Sequence, residues 1–420
     1  MRKLILLLFL LPFTVFGQIQ KITLDSCQSA AKQNWPAFKK QLYITGKRDL
    51  ISKILNKNYL PKINISGQAT YQSESVSIPT APNFPNIFPD VPLDNYNVEA
   101  SLNQIIWDGG NINSTKLIRY ADNDIEVQNL NIETYNLYDK INKLYMNYLL
   151  LSKSIKIISL TETELEKNIQ TLSSAVNNGV LLESKLNNLK AEKLKLDNQL
   201  ISLKTNQLIL LNSINLITGL NLTVETKFVL PVPSAENKNL NRPDLAIFDN
   251  RISLLDANIK QLKTNLMPKL IAFGKVGYGR PGYDFFNTDM HGYSIVGAKL
   301  SWNVWNWNMN KQQIQQINLQ KNILIENKES FAKQLTSEQQ KYLAKINQYQ
   351  KQISIDKQIE KLKTSVYKSS KSQLKNGTIT STEFLKQFNG WKKAKLATEI
   401  DKLNLITNKI NYQHSLGIKN

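Results

Sequence analysis

The chain has 420 residues, 53 Lys and Arg against 33 Asp and Glu, a formal net charge of +20, one cysteine and two histidines. A single cysteine excludes an intrachain disulfide. The positive charge does not point to nucleic acid, because the lysines are scattered among Asn, Gln and Ile along helical stretches and never alternate with aromatics as a stacking platform requires.

Met1-Arg2-Lys3 is a short basic region, Leu4 to Phe16 an apolar core, and Val15-Phe16-Gly17 offers modest side chains to a peptidase. A secretory signal is predicted over residues 1–17; its apolar run is too short to cross a bilayer. Cys27 follows Leu24-Asp25-Ser26, with Asp where lipid attachment wants a small residue, so a buried thiol on the first helix is expected. An exported chain poor in cysteine fits a Gram-negative envelope protein held by packing.

A helix is predicted from about Leu24 to Asn58, ending before Pro61, whose predecessor is pushed out of the helical region. Ile63, Ile65, Gly67, Ala69 and Tyr71 then alternate with Asn64, Ser66, Gln68, Thr70 and Gln72, the period of a strand with one apolar face. Tyr96, Val98, Ala100 and Leu102 do the same. The loop between them is studded by Pro79, Pro82, Pro85, Pro89 and Pro92, which fit neither helix nor central strand. The pair, about 61–107, closes on a Trp107-Asp108-Gly109-Gly110 corner.

From there a helix is expected to about Asn178, without Gly or Pro; some 66 residues extend about 100 Å. Its apolar residues Leu151, Ile155, Ile158, Leu165, Ile169, Leu172 and Val176 step by threes and fours, with Glu162 interrupting the series. Leu182, Leu186, Leu189, Leu196, Leu200, Leu203, Leu210, Ile214 and Ile217 continue the pattern after the break, with Lys193 and Gln207 in the vacant steps. This is the seam of an antiparallel hairpin, about 112–217, turned by Asn178-Gly179. Tyr138, Ile141, Tyr145 and Tyr148 form a further packing stripe.

The chain then repeats itself. Gly179 and Gly377, Trp107 and Trp305, and Gly219 and Gly417 are each 198 residues apart, whereas Pro36 and Pro243, and Pro61 and Pro268, are 207 apart. The reading is a tandem duplication: repeat 1 over 18–220, a linker at 221–242 and repeat 2 over 243–420, the first copy carrying about nine extra residues before Trp107. In repeat 2 the strand pair, about 268–305, runs through Leu270, Ala272, Gly274, Val276 and Tyr278, then Val296, Ala298, Leu300, Trp302 and Val304. The second hairpin, about 309–414, turns at 376–378 and carries a stripe of Leu396, Ile400, Leu403 and Ile410. Gly277-Tyr-Gly279-Arg-Pro-Gly282, read as linking the strands, spells GxGxxG; Pro281 and the lack of a following helix discount a nucleotide site. Trp107, Trp305 and Trp307 suit a membrane interface, where an indole is half buried with its N–H wet.

Four amphipathic strands are too few to enclose a lumen, because the smallest membrane barrels use about eight and fill their interior. The chain must share its strands; three copies giving four each would make about twelve and hold water. Open edges facing lipid would drive that assembly. The expected fold is thus a mixed α/β membrane protein, predominantly α, built as a tandem repeat of long antiparallel coiled-coil hairpins with four amphipathic strands per chain.

With this layout the chain resembles the TolC-type outer-membrane efflux proteins. The likeness covers almost all of it after the signal: the duplicated helix-strand-strand-helix-helix order, Leu60-Pro61 and Met267-Pro268 ahead of the strands, the Trp107 corner, and Asn178-Gly179-Val180-Leu181-Leu182-Glu183-Ser184 with Leu189-Lys190-Ala191-Glu192 beyond. The resemblance implies a homotrimer in the Gram-negative outer membrane, its helices forming a tunnel through the periplasm. It implies docking of a periplasmic adaptor on tips at Asn178, Gly179, Val180, Leu181, Asn376, Gly377, Thr378 and Ile379. It implies an inner-membrane RND or ABC transporter as energy source, and drugs, metal ions or secreted proteins as cargo. It implies an equatorial region at about Leu220 to Arg242.

Where many of those proteins carry an acid after each tip glycine, this chain has Lys185 and Glu383, and Lys386 replaces a further acid. Glu383 could furnish an entrance charge, partly offset by Lys386. His291, in a predicted outer loop, and His414 lack metal-ligand spacing, and no nucleophile, P-loop or carboxylate pair stands out, so neither catalysis nor a cofactor is expected. Two other classes are a periplasmic coiled-coil adaptor, which has one hairpin flanked by compact β-domains, and a non-transporting coiled-coil adhesin or scaffold, which lipid-compatible strands disfavour.

Overall fold

The structure, a computed structural model, describes residues 21–74, 91–179, 182–233, 241–284 and 287–418. The predicted signal, Val180 and Leu181 of the first tip, Pro79, Pro82, Pro85 and Pro89 of the loop, and part of the linker lie outside the described residues. The chain divides into two compact units. One comprises residues up to Phe38, Ile132–Arg242 and the chain from Lys333; the other comprises Lys39–Asn131 and Pro243–Ala332.

The second unit holds the sheet. Strands β2 (Lys62–Tyr71), β3 (Asp94–Trp107), β5 (Lys269–Arg280) and β6 (His291–Ser301) lie in the order β2-β3-β5-β6, antiparallel throughout. The sheet does not close on itself, and β2 and β6 are its edges. A register shift between Ile105 and Trp107 marks a bulge in β3 as it leaves the ladder. Helix α2 (Pro36–Asn56) and the start of α3 (Asn111–Asn177) are tied by ion pairs Lys47–Glu126, 2.6 Å, and Arg48–Asp124, and Asn123 Nδ2 donates to Ile44 O at 3.0 Å. Helix α5 (Pro243–Thr264) is held to α6 (Met309–Lys375) in the same way, by Lys321–Asp256 and Lys328–Asp249, both 2.6 Å.

In the first unit, the predicted seam is the core. Ile158, Leu165, Ile169 and Leu172 of α3 bury against Leu186, Leu189 and Leu196 of α4 (Glu183–Thr218), with Tyr367 of α6 and Phe384 and Phe388 of α7 (Ser381–Ser415). Two of the steps that broke the apolar series meet each other, Lys193 Nζ lying 3.5 Å from Glu162 and also 3.1 Å from Glu166; the third, Gln207, donates to Ser152 Oγ at 2.8 Å. A second cluster joins Ile141, Tyr145 and Tyr148 of α3 to Cys27 and Ala31 of α1 (Leu24–Asn34), Ile214 and Ile217 of α4, and Leu403 and Ile410 of α7. Cys27 is fully buried, and burial pushes its thiol pKa up to about 12.

Here too sits a two-stranded parallel ladder, β1 (Lys21–Ile22) with β4 (Lys227–Phe228). The Tyr145 hydroxyl lies 2.8 Å from Ile22 O and 2.7 Å from Val229 O, so it donates between the two carbonyls.

Four expectations are corrected. The first helix is two, α1 and α2, broken at Trp35: Pro36 forces its predecessor into an extended conformation and itself suits the first turn of a helix. Asn34 Nδ2 then caps the end of α4 at Leu216 O, 3.3 Å, and Ile217 O, 3.1 Å. Strand β6 stops at Ser301, so Trp302 and Val304 continue the alternation beyond the last paired residue; the Trp302 indole donates to Leu266 O at 2.9 Å. His291 begins β6 and does not lie in a loop, and Gly277 to Arg280 belong to β5.

Candidate functional site

The ladder decides which side chains share a face. Ile63 pairs with Leu102, Ile65 with Ala100, Gly67 with Val98 and Ala69 with Tyr96. Val98 pairs in turn with Tyr278, Ala100 with Val276 and Leu102 with Gly274, and these continue to Gly292, Ser294 and Val296 on β6. The four alternating sets therefore fall on one face. That face is open: Ile65 is 76% exposed, Val98 60% and Val296 86%. A contiguous outward apolar surface of this size marks contact with another protein or with lipid.

On the opposite face, Glu99 and Lys275 form an ion pair of 2.9 Å, amid Asn64, Ser66, Gln68, Asn97 and Ser101. The Tyr293 ring occupies the space that a Cβ at Gly277 would need, 2.4 Å away, which explains one glycine of the GxGxxG spelling without any phosphate.

A long helix follows each corner in the chain. Asp108 is buried and accepts from the backbone N–H of Gly110, at 2.9 Å, and of Ile112, so its carboxylate caps α3. Trp107, Trp305 and Trp307 are exposed, the last two edge-on at 5.9 Å. Trp307 and Asn308 adopt left-handed φ values of 55° and 59° at the second corner, where the first has Gly109 and Gly110.

The hairpin turns rest on Gly179 and Gly377, with φ of 72° and 73°, a region that L side chains avoid. Gly179 N donates to Val176 O at 2.9 Å; Asn178 is exposed. At the second turn Gly377 N donates to Leu374 O, and Thr378 donates through both N and Oγ1 to Gln373 O at 3.0 Å. Asn376 and Thr378 are exposed, whereas Ile379 packs against the buried cluster.

Thr380 and Glu383 form a reciprocal cap on α7: Glu383 N donates to Thr380 Oγ1 at 3.2 Å, and Thr380 N and Oγ1 each donate to Glu383 Oε2 at 2.9 Å. Those bonds hold the Glu383 carboxyl below its ordinary pKa. It is therefore charged but committed to the turn. Lys386 is exposed and Lys185 half-buried in the first turn of α4.

Polar links between the hairpins were not foreseen. Tyr367 donates to Glu164 Oε1 at 3.0 Å and accepts from Asn168 Nδ2 at 3.3 Å; Lys371 also reaches Glu164, and Asn188 donates to Ser381 Oγ at 3.2 Å. Burial raises the Glu164 carboxyl pKa, but the bonds from Lys371 and Tyr367 outweigh it and hold it below the ordinary value. These partners stand about two hundred residues apart, and no periodic signal marks them.

The described chain thus combines an unclosed antiparallel sheet that exposes one apolar face with two long glycine-turned helical hairpins. Residues 236–417 match the model of the outer membrane efflux protein family. The outer membrane protein VceC of Vibrio cholerae shares the fold at a TM-score of 0.72 and 12% identity, covering 94% of this chain and 96% of that one. The CmeC outer membrane channel of Campylobacter jejuni gives 0.70 and 15%, over 94% and 85%. The MtrE outer membrane channel of Neisseria gonorrhoeae gives 0.68 and 14%, over 94% and 89%. No curated protein sequence matches the chain. The family model thus matches the second repeat, and the fold shared with these channels extends over the first repeat as well.

Proposed function

We propose that the protein is the outer-membrane exit duct of a tripartite efflux or type I secretion system. Three copies complete one barrel of about twelve strands. The observation that carries this reading is the sheet itself: β2 and β6 are edges left unpaired among the described residues, and the apolar face is exposed. In lipid a free edge costs several kcal/mol per unpaired group, so neighbouring copies must pair with β2 and β6. The corner tryptophans Trp107, Trp305 and Trp307 lie at the membrane interface.

In this reading residues 1–17 are the export signal and the two repeats each supply one hairpin tip. The tips, Asn178 to Leu181 and Asn376 to Ile379, dock a periplasmic adaptor, and an RND or ABC transporter supplies the energy. Drugs, metal ions or secreted proteins pass outward, with Glu383, Lys386 and Lys185 setting the charge at the tunnel entrance. Support for the tips comes from their matched left-handed glycines.

The test is conductance. Purified protein from outer-membrane fractions should run as a trimer that dodecyl sulphate dissociates, and should give single-channel currents in planar bilayers. A soluble periplasmic monomer would overturn the proposal. Gly377→Val should weaken adaptor coupling, read by co-purification, while leaving membrane insertion intact, because only the turn is strained; loss of insertion with coupling retained would invert the assignment.

A further inference from the structure

The register fixes which charges share the polar face. Parity along each strand puts Lys62, Glu99, Lys269, Lys275 and Lys299 there. Lys275 is neutralised by Glu99. Lys62 Nζ has a neutral acceptor, Asn58 Oδ1 at 3.3 Å, and Lys269 and Lys299 have no ion-pair partner among the described residues. No other carboxylate occupies this face of the described sheet. The three uncompensated lysines also gather at one end of it: Lys62 opens β2, Lys269 opens β5, and Lys299 is two residues from the end of β6. Lys62 and Lys299 are exposed and Lys269 half-exposed.

We infer that Lys62, Lys269 and Lys299 form a basic collar at the inner end of the barrel lumen and bias the duct toward anionic solutes. The inference rests on the channel reading above, in which the polar face lines water. Rings of like charge set the sign of the ions a pore admits, and lysine or arginine rings favour anions. Each chain contributes three ammonium groups, so an assembly repeats the collar around its wall. Their field reaches about 8 Å at physiological ionic strength and farther in dilute salt, so the bias is strongest for solutes near the wall and at low salt.

The test uses the full-length protein in planar bilayers of zwitterionic lipid under a potassium chloride gradient. The expected reversal potential is displaced toward the chloride equilibrium potential, and more so in dilute salt. In K62Q/K269Q/K299Q that displacement should be lost; in K62E/K269E/K299E it should change sign; in K62R/K269R/K299R it should persist. A conducting channel that prefers potassium, or a glutamine variant with the wild-type reversal potential, overturns the collar while leaving the duct reading intact. Absence of conductance from every form overturns the duct reading and the collar with it.

Discussion

Val98→Lys asks directly which face of the sheet meets hydrocarbon. Val98 lies within β3, paired with Gly67 on one side and Tyr278 on the other, on the face that also carries Ile65 and Val296. A lysine facing lipid near the bilayer midplane costs about 2–4 kcal/mol, falling toward zero at the interfaces. Three chains in one barrel would each bear it, so the assembled form loses roughly 6–12 kcal/mol relative to unassembled chains. That approaches the whole stability of an ordinary domain. Gln68→Lys is the matched control: it sits one residue from Gly67 on the opposite, polar face, pairs with Asn97, and is exposed. The assay is outer-membrane fractionation followed by size-exclusion chromatography in a mild nonionic detergent. Val98→Lys should deplete the membrane-inserted trimer and Gln68→Lys should leave it near wild-type abundance. Equal abundance of both variants, or the reverse order, refutes the assignment of faces.

Leu189→Ala removes a fully buried side chain among Leu165, Phe384 and Phe388, and should lower stability by about 2–5 kcal/mol, read as a denaturant-midpoint shift in detergent. Leu194→Ala, at a site 68% exposed, should shift it little. His414 stacks on Tyr135 at 4.0 Å, and burial holds its pKa below the ordinary 6.5, with Arg242 and Lys143 adding to that and Asp139 opposing it. The unfolded chain therefore binds a proton that the folded chain refuses, so His414 should lower the melting temperature progressively as pH falls below 6.5; His414→Gln should flatten that slope. Cys27 should resist iodoacetamide at pH 8 in the native protein and react once it is denatured, because its thiolate is suppressed.

The sequence made the repeating parts of the molecule legible. Steps of three and four located the seam, and strict alternation located strands whose pairing was unknown but whose faces agreed once paired. Even the interruptions carried information, because Glu162 and Lys193 fall at vacant steps on facing helices and meet there. What escaped was short or non-local. Two-residue strands have no period, so the Lys21–Ile22 and Lys227–Phe228 ladder was unseen. Asp108 as a cap, Asn34 on the end of α4, and Tyr367 with Glu164 are single polar contacts that depend on tertiary placement. The end of β6 was misplaced because Trp302 and Val304 keep the alternation after the partner strand has run out.

The central claim, that neighbouring chains complete the cylinder, is tested most directly by paired cysteines. One is placed along β2, within Lys62–Tyr71, and the other along β6, within His291–Ser301, the two edges that a single chain leaves unpaired. Oxidised in intact outer membranes, pairs in the right register should yield covalent dimers and trimers. Crosslinks confined within single chains across the whole scan would contradict it.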